Sequence, residues 1–458
     1  MRIQFLGAQE GVTGSCYYLQ TEDQSFLVDC GQFQGNPKEQ KKNEEPFPFD
    51  PKSLDFVILT HAHIDHTGRL PKLVKEGFSG RVFMTRGTAS LSDILLRDSA
   101  KIHEVEAEKD NELREKAGLD PIEPYYTIND AIETLQYFNP LPYDTEYTIS
   151  TDLTVKFINA GHLLGSAHVY LSINGETLLF SGDVGSDYSQ ILIPPVPAPS
   201  ADYIFIETTY GNRNHKDMEM RFEKLYQIIK ETTEQKGTVI IPAFSVGRTQ
   251  DIIYGLKQLE TTAAFKKIPF YVDSPMAINA TKVFQKDTEG MKKELITKLE
   301  SKQHPFEMPN LKFIDDATVS YQLDYSKDAK VLISASGMCD AGRILHHLKT
   351  YLEKQKTTVI FVGYQSEESL GRKIQSGADT VTIYDTEVSN KAQVFTLHGF
   401  SGHADQGELL KWLSHVKAPK KLFLVHGEKD SLETFDTKIK EIYGFNTYIP
   451  KLYESIEL

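Results

Sequence analysis

Three histidines and one aspartate fall within six residues, in the segment His61-Ala62-His63-Ile64-Asp65-His66. The chain has only 14 histidines among 458 residues, so this density is not a background feature. The apolar run 56–59 precedes the segment and predicts a strand, on whose extended end His61 and His63 would point to the same side. Imidazole and carboxylate groups are common zinc ligands. The segment therefore predicts a large part of a two-metal hydrolytic site.

Four later segments each join a strand-like run to a ligand-type residue beside glycine, and they supply His162, Asp183, His403 and His426. Such loops at strand ends commonly build sites, and glycine lets the backbone approach a metal closely. A consistent assignment gives one zinc ion to His61, His63 and His162, the other to Asp65, His66 and His426, and Asp183 to both. Two such ions would hold a bridging hydroxide and polarise a phosphoryl or carbonyl oxygen.

Other acidic and histidine residues are predicted to lie behind the metals or away from them. Asp29 follows the strand-like run 25–28, and we expect it to orient a metal ligand. His168, His398 and His415 are predicted to be ordinary structural or surface histidines. A supporting role behind the ligands stays open for His168 and His398.

Composition limits the classes of function. The net charge of −14 argues against a protein that coats nucleic acid by bulk charge, although a local metal-rich cleft could still bind a phosphate chain. No apolar run approaches the ~20 residues needed to span a bilayer, so no membrane partner is expected. Cys16, Cys30 and Cys339 are widely spaced and fit reduced thiols in the cytoplasm better than a disulfide framework.

The chain divides into three stretches by its patterning. Short strand-like runs dominate residues 1–207, where Asn174-Gly175 predicts a hairpin. The highly charged stretch 101–119 fits either an exposed helix or a mobile cover. Within 208–392, strands alternate with helical stripes, which predicts a parallel α/β sheet. Residues 393–458 return to strand runs that end in histidine motifs.

These motifs resemble the dinuclear pattern of the metallo-β-lactamase superfamily, which implies an αββα sandwich with metals at one edge of two sheets. The long gap between Asp183 and His426 resembles the β-CASP branch, whose nucleases include the endonuclease of mRNA 3′-end cleavage and RNase J. The implied fold class is α/β. A metallo-β-lactamase domain in two parts, 1–207 and 393–458, would carry an inserted β-CASP domain, 208–392, with a parallel sheet flanked by helices.

The resemblance also implies roles for single residues. The acidic residue of the family's motif A matches Glu207, and the histidines of motifs B and C match His403 and His426. The form of the segment 399–405 is more similar to the mRNA-cleavage type than to RNase J. A single-stranded RNA substrate and a homodimer are implied.

The expected reaction is hydrolysis of a phosphodiester bond by a metal-bridging hydroxide. His403 is the candidate general acid, because the leaving oxygen needs a proton from a donor opposite the metals. Glu207 or Asp65 would hold the His403 ring or a metal ligand in place. Candidate contacts to backbone phosphates are Arg248, Ser336, Arg343 and Arg372. Tyr210, Phe244 and Tyr364 are either core aromatics or residues that stack on bases.

Several alternatives stay open at this point. A β-CASP-type DNA nuclease would use the same metal chemistry, and both endonuclease and 5′-exonuclease modes fit. A small-molecule hydrolase of thioesters or lactones is disfavoured, because the inserted stretch with its arginine-bearing loops would have no role. A scaffold with dead metal sites is disfavoured because every expected ligand is present.

Overall fold

The computed structural model describes residues 1–216, 218–259, 265–366 and 369–458. They form two compact units. The first comprises Met1–Asp187, Pro194–Asn214 and His403–Leu458, and the second comprises Tyr188–Ile193 and His215–Gly402. The domain boundaries at 207/208 and 392/393 stay predictions.

Two seven-stranded sheets build the first unit, with elements numbered along the chain. One sheet has the order β22-β1-β2-β3-β4-β5-β6, with β1 (Arg2–Phe5), β2 (Tyr17–Gln20), β3 (Ser25–Val28), β4 (Phe56–Ile58), β5 (Arg81–Met84), β6 (Phe138–Pro140) and β22 (Ser455–Glu457). The other has the order β21-β20-β11-β10-β9-β8-β7, with β7 (Glu146–Ser150), β8 (Leu153–Asn159), β9 (Ala167–Ile173), β10 (Glu176–Phe180), β11 (Tyr203–Glu207), β20 (Lys421–Val425) and β21 (Thr447–Tyr448).

Alternation along these strands explains how the sheets pack. In β4, Phe56 and Ile58 enter the core between the two sheets, whereas Val57 enters a second core on the outer face. Side chains alternate with period two, so a continuous apolar run buries both faces of a strand. Between the sheets, the ring of Phe205 stacks on Phe180 at 4.3 Å and on Phe423 at 4.6 Å. Each such pair contributes about 0.5–1.5 kcal/mol beyond the burial of its area.

Helices cover the outer faces of both sheets. The helices of this unit are α1 (Pro37–Gln40), α2 (Ile64–Thr67), α3 (Leu70–Lys75), α4 (Arg86–Lys116), α5 (Ile128–Thr134), α13 (Gln406–Leu413) and α14 (Lys429–Tyr443). Leu70 and Leu73 of α3 pack on one sheet, and Trp412 of α13 and Phe435 of α14 pack on the other. The predicted αββα sandwich is confirmed.

Two local expectations are settled in the same unit. Asn174 and Gly175 both have positive φ, at 52° and 84°, and turn β9 into β10 with Ile173 opposite Glu176. That is the geometry of the predicted hairpin. The charged stretch 101–119 is helical as far as Lys116, within α4, so of the two structures considered it adopts the helix.

A parallel six-stranded sheet forms the centre of the second unit. Its order is β14-β13-β15-β12-β16-β19, with β12 (Thr238–Pro242), β13 (Phe270–Asp273), β14 (Leu311–Phe313), β15 (Lys330–Ser334), β16 (Thr358–Phe361) and β19 (Gln393–Thr396); β17 (Thr380–Ile383) and β18 (Thr386–Ser389) form a hairpin. Its helices are α6 (Arg221–Glu234), α7 (Arg248–Gln258), α8 (Pro275–Lys286), α9 (Lys293–Glu300), α10 (Ala317–Tyr325), α11 (Ile344–Tyr351) and α12 (Leu370–Gln375). All neighbouring strands of the six run parallel, as the alternation of strands and helices predicted.

Candidate metal centre

The first group of ligand-type side chains contains His61, His63, His162 and Asp183. Their ligand atoms all lie within 4.8 Å of one another. His61 Nε2 lies 3.1 Å from His63 Nδ1, which lies 3.2 Å from His162 Nε2. The expectation that His61 and His63 extend a strand is wrong, because β4 ends at Ile58 and α2 begins at Ile64. The irregular connection between them nevertheless brings both rings together.

The second group contains Asp65, His66 and His426, whose ligand atoms also lie within 4.8 Å of one another. Asp65 and His66 lie on the short helix α2, and His426 directly follows β20. His66 Nε2 lies 3.2 Å from His426 Nε2, which lies 3.6 Å from Asp65 Oδ2. The chain thus brings together side chains that are 360 residues apart.

Asp183 belongs to the first group and also faces the second. Its Oδ2 lies 3.4 Å from His61 Nε2, and its Oδ1 lies 3.3 Å from His66 Nε2. Asp183 follows β10 and is buried, as are the two histidines that flank it. One oxygen toward each group is the arrangement that a bridging carboxylate requires.

The donor set fits metal cations. His63 Nδ1 lies near two imidazole nitrogens at once, and its single hydrogen or lone pair can make a full hydrogen bond with only one of them. Burial lowers the pKa of His63 to about 3, and it lowers the pKa of His61 and takes that of His162 well below its usual value. These rings are therefore neutral, with lone pairs available for coordination. Asp183 Oδ1 is buried and accepts no hydrogen bond among the described residues.

Asp29 supports His66 from behind. Its Oδ2 lies 2.7 Å from His66 Nδ1, while its Oδ1 accepts hydrogen bonds from Thr60 N at 2.8 Å and Thr60 Oγ1 at 3.1 Å. A carboxylate on the far nitrogen of an imidazole fixes the ring and raises its basicity as a ligand. The geometry agrees with the role predicted for Asp29.

Thr209 holds the other histidine of the second group and was missed in the sequence. Its Oγ1 lies 3.2 Å from His426 Nδ1 and donates to the carbonyl oxygen of His426 at 3.2 Å. The only sequence signal was its position two residues after Glu207.

His403 stands beside the metal ligands and pairs with Glu207. His403 Nδ1 lies 3.1 Å from Glu207 Oε1, and His403 Nε2 lies 3.9 Å from Asp183 Oδ2. Although burial favours the neutral ring, Glu207 and Asp183 raise the pKa of His403 to about 9. The imidazole is therefore protonated at neutral pH. Of the two acidic candidates, Glu207 contacts the His403 ring, whereas Asp65 lies in the second ligand group.

His168 does not join either ligand group. Trp412 Nε1 donates to His168 Nε2 at 2.9 Å, and His168 Nδ1 lies 2.6 Å from the carbonyl oxygen of Ser181. Burial lowers the pKa of His168 to about 4, so the ring is neutral and its Nδ1 donates to Ser181. His168 thereby anchors the segment that leads to Asp183.

The four candidate phosphate-binding residues belong to the second unit and follow its strands. Arg248 begins α7 after β12, with Nη1 3.4 Å from Asp251 Oδ2. Ser336 Oγ accepts hydrogen bonds from Asp340 N at 3.1 Å and Ala341 N at 3.3 Å. Arg372 Nη1 donates to the side chain of Gln375 at 3.3 Å.

Arg343 has internal partners in the same unit. It donates to Asp273 Oδ1 at 2.7 Å, to the carbonyl oxygen of Ile314 at 3.0 Å and to that of Asp315. Three acceptors hold its guanidinium in place, so this arginine ties the end of β13 to the loop after β14. A phosphate contact by Arg343 stays a prediction.

A buried group around His347 was also missed in the sequence, where its signal was the pair His346-His347. His347 Nε2 lies 2.8 Å from Asp273 Oδ2, and Nδ1 lies 2.7 Å from Asp324 Oδ1. His346 Nδ1 lies 2.7 Å from Asp324 Oδ2. Each nitrogen here faces an oxygen, so the group satisfies itself by hydrogen bonds, whereas two imidazole nitrogens converge on His63 Nδ1 near Asp183.

No helix in the described parts of the chain combines the length and the apolar character that a membrane crossing requires.

Three family descriptions match successive parts of the chain. Residues 10–225 match the metallo-beta-lactamase superfamily. Residues 249–374 match the Beta-Casp domain, and residues 387–450 match the Zn-dependent metallo-hydrolase RNA specificity domain. The first match contains His61 to Asp183, and the third contains His403 and His426.

Three relatives and a solved structure are similar to this protein over almost the whole chain. Ribonuclease TTHA0252 of Thermus thermophilus is 38% identical over 94% of each chain. Transcription termination factor FttA of Methanocaldococcus jannaschii is 32% identical over 100% of this chain and 72% of the relative. An RNase J-like protein of that organism is 29% identical over 98% of this chain and 97% of the relative. A crystal structure of a protein of unknown function from Enterococcus faecalis superposes with a TM-score of 0.57 at 12% identity, over 100% of this chain and 99% of that chain. This likeness shows the fold alone. The chain therefore belongs to the β-CASP family of the metallo-β-lactamase superfamily.

Proposed function

We propose that this protein is a zinc-dependent ribonuclease that hydrolyses phosphodiester bonds of single-stranded RNA with two zinc ions per chain. The observation that carries the proposal is the position of His403, paired with Glu207, beside seven convergent metal ligands. The names of the relatives support RNA as the substrate, since one is a ribonuclease and another is RNase J-like. Residues 387–450, which match the Zn-dependent metallo-hydrolase RNA specificity domain, contain both His403 and His426.

The ligand groups assign the metals to this chain's residues. His61, His63 and His162 would hold one ion, Asp65, His66 and His426 the other, and Asp183 both. When bound, two such ions supply positive charge against the phosphoryl oxygens and acidify a water molecule. Asp29 and Thr209 keep the rings of His66 and His426 in their coordinating orientation.

His403 serves the proton balance of the reaction. Hydrolysis adds water across the P–O bond, and the leaving oxygen must gain a proton as that bond breaks. Nε2 of His403 is the donor, because Nδ1 is held by Glu207. A positioned general acid typically contributes 10²–10⁴-fold in rate, on the order of a few kcal/mol. Glu207 is 1% exposed and also accepts a hydrogen bond from Val184 N at 2.7 Å, so it keeps the ring fixed.

Arg248, Ser336 and Arg372 are the proposed contacts to the RNA backbone. They follow β12, β15 and β16, which are neighbouring parallel strands, and ligands of open α/β sheets bind at this carboxyl edge. Arginine forks match the geometry of phosphate. A homodimer and a cytoplasmic location complete the proposal, the latter supported by three free, buried cysteines.

The test compares zinc-loaded wild type with His403→Ala and with His415→Ala, an exposed histidine, as the matched control. Substrates are one single-stranded sequence as 5′-phosphorylated RNA, 5′-hydroxyl RNA and DNA. We expect RNA cleavage by wild type and His415→Ala, and at least about 100-fold slower cleavage by His403→Ala with its two zinc ions retained.

Other outcomes separate the alternatives. Equal or faster cleavage of DNA would favour the DNA nuclease. Turnover of thioesters or lactones without cleavage of any nucleic acid would favour the small-molecule hydrolase. Dependence on the 5′-phosphate would distinguish an exonuclease from an endonuclease.

A further inference from the structure

Phe244 leaves an aromatic ring open at the carboxyl edge of the parallel sheet in the second unit. It follows β12, which lies between β15 and β16 in the sheet. The residue is 38% exposed, although it directly follows a fully buried strand and the buried Ala243. Ligands of open α/β sheets bind at the carboxyl ends of the strands, so the exposed ring lies where a ligand is expected.

Two glycines flank the ring, one from each neighbouring strand. Gly337 follows β15 and Gly363 follows β16. A Cβ atom at Gly337 would lie 2.9 Å from Phe244 Cδ2, and a Cβ atom at Gly363 would lie 3.4 Å from Phe244 Cε2. Both glycines therefore meet the same edge of the ring. Any side chain at Gly337 would displace the Phe244 ring. The ring therefore rests against the backbone of Gly337 and Gly363, which together form its seat.

The loop that carries the ring is held by several hydrogen bonds. The carbonyl oxygen of Phe244 accepts from Thr249 N at 3.2 Å and from Thr249 Oγ1 at 2.8 Å. Gln250 Nε2 donates to the carbonyl oxygen of Ser245 at 3.1 Å.

The seat is held in the same way. Gln365 Nε2 donates to the carbonyl oxygens of Gly337 and Tyr364, both at 2.9 Å. A ring presented on a fixed backbone loses little freedom when a ligand covers it, which favours binding.

Tyr210 has a different environment. It is only 6% exposed, and the guanidinium of Arg213 lies 4.9 Å from the centre of its ring. Phe244 instead has Arg248 four residues further along, at the start of α7. The loop thus carries both an open ring and an arginine, the two kinds of group with which proteins bind single strands, through stacking and backbone charge.

We propose that Phe244, seated on Gly337 and Gly363, forms a nucleobase-binding subsite whose ring stacks on one unpaired base of the RNA. This inference rests on the proposed ribonuclease function and adds a contact to the base. Every base has a π face, so the subsite accepts all four bases. It discriminates against duplex RNA, since paired bases are already stacked on their neighbours.

Three substitutions separate stacking from packing. Phe244→Ala removes the ring, Phe244→Leu keeps an apolar side chain of similar size, and Phe244→Trp enlarges the stacking surface. Phe395→Ala is the matched control, because Phe395 is also 38% exposed and lies in β19 of the same sheet. Zinc-loaded enzymes are compared by kcat and KM. Binding is followed by the fluorescence of a 2-aminopurine base in single-stranded RNA, in a His403→Ala background that keeps the RNA intact.

We expect Phe244→Ala and Phe244→Leu to weaken RNA binding at least about fivefold, the lower end for one lost stack, and Phe244→Trp to bind as wild type does. Phe395→Ala should have no effect. An RNA with one abasic nucleotide at the contacted position should bind wild type and Phe244→Ala equally.

The inference and the proposed function fail differently. Wild-type binding by Phe244→Leu, or equal weakening by Phe395→Ala, would overturn the subsite while RNA cleavage stands. Absence of RNA cleavage by the zinc-loaded wild type would overturn the ribonuclease itself.

Discussion

Glu207 links His403 to the loop that carries Asp183. Its Oε1 lies 3.1 Å from His403 Nδ1 and accepts a hydrogen bond from Val184 N, the residue after Asp183, at 2.7 Å. One buried carboxylate thus sets both the orientation of the candidate acid and the position of the bridging ligand. The proton donor and the metal site are therefore coupled by geometry.

Glu207→Gln keeps the shape of the side chain but removes its negative charge. Glu207 raises the pKa of His403, whose value is about 9, so its removal lowers that pKa. The acidic form of His403 is then lost at lower pH, and the alkaline limb of the kcat profile should move to lower pH. Steady-state kcat between pH 6 and pH 10 measures the shift, and an unmoved alkaline limb would exclude His403 as the acid.

Asp29→Ala should weaken zinc binding about 10–100-fold, the usual effect of losing a partner behind a metal ligand. The reason is that Asp29 Oδ2 lies 2.7 Å from His66 Nδ1 and orients that ring. Competition with a chromogenic chelator measures the affinity. Asp152→Ala is the matched control because Asp152 is exposed. Unchanged zinc affinity in Asp29→Ala would show that His66 needs no support.

Zinc stoichiometry should separate the two ligand groups. His63→Ala is expected to lose one of two zinc equivalents, and His426→Ala the other, because their ligand atoms belong to different groups. Asp183→Ala should weaken the binding of both zinc ions, since one carboxylate oxygen of Asp183 faces each ligand group. Native mass spectrometry counts the bound ions. Retention of two ions by Asp183→Ala would argue against a bridge.

The network around His347 predicts a pH-dependent stability of the second unit. Although burial opposes the charge, Asp273 and Asp324 raise the pKa of His347. Burial also disfavours the two carboxylates, but hydrogen bonds from His347 lower the pKa of Asp273, and those from His346 and His347 lower the pKa of Asp324. His347→Ala leaves buried carboxylates without this partner and should cost about 3–5 kcal/mol of unfolding free energy.

The sign of the pH dependence follows from these directions. The stabilisation from His347 is complete below the unfolded pKa of about 6.5 and is lost as pH rises through the raised folded pKa. The stabilisation from the carboxylates is complete above about 3.9 and is lost as pH falls through their lowered folded pKa.

The difference in unfolding free energy between wild type and His347→Ala should therefore be largest near pH 5.5 and smaller at high pH. Urea unfolding measures it. His304→Ala, at an exposed histidine, is the control. A difference that grows with pH would contradict a charged His347.

Much of the fold and of the metal centre was predictable because it is encoded locally. The strand-like runs 25–28 and 56–59 predicted β3 and β4, and Asn174-Gly175 predicted the turn between β9 and β10, since positive φ is favoured at these residue types. The spacing of His61, His63, Asp65 and His66 predicted clustered ligands for the same reason. Residue type and short spacing constrain what neighbouring side chains can do without any knowledge of distant contacts.

Only the tertiary structure decided which distant residues meet. Glu207 rather than Asp65 contacts His403, 196 residues away, and Asp273 meets His347 across 74 residues. His168 pairs with Trp412, which no sequence pattern specified, and Arg343 braces a loop, although it was predicted to contact phosphate. These partners are chosen by how the sheets and helices pack, because strands distant in the chain place their ends at a shared edge. Local patterning determined the kinds of ligand available, and packing determined their partners.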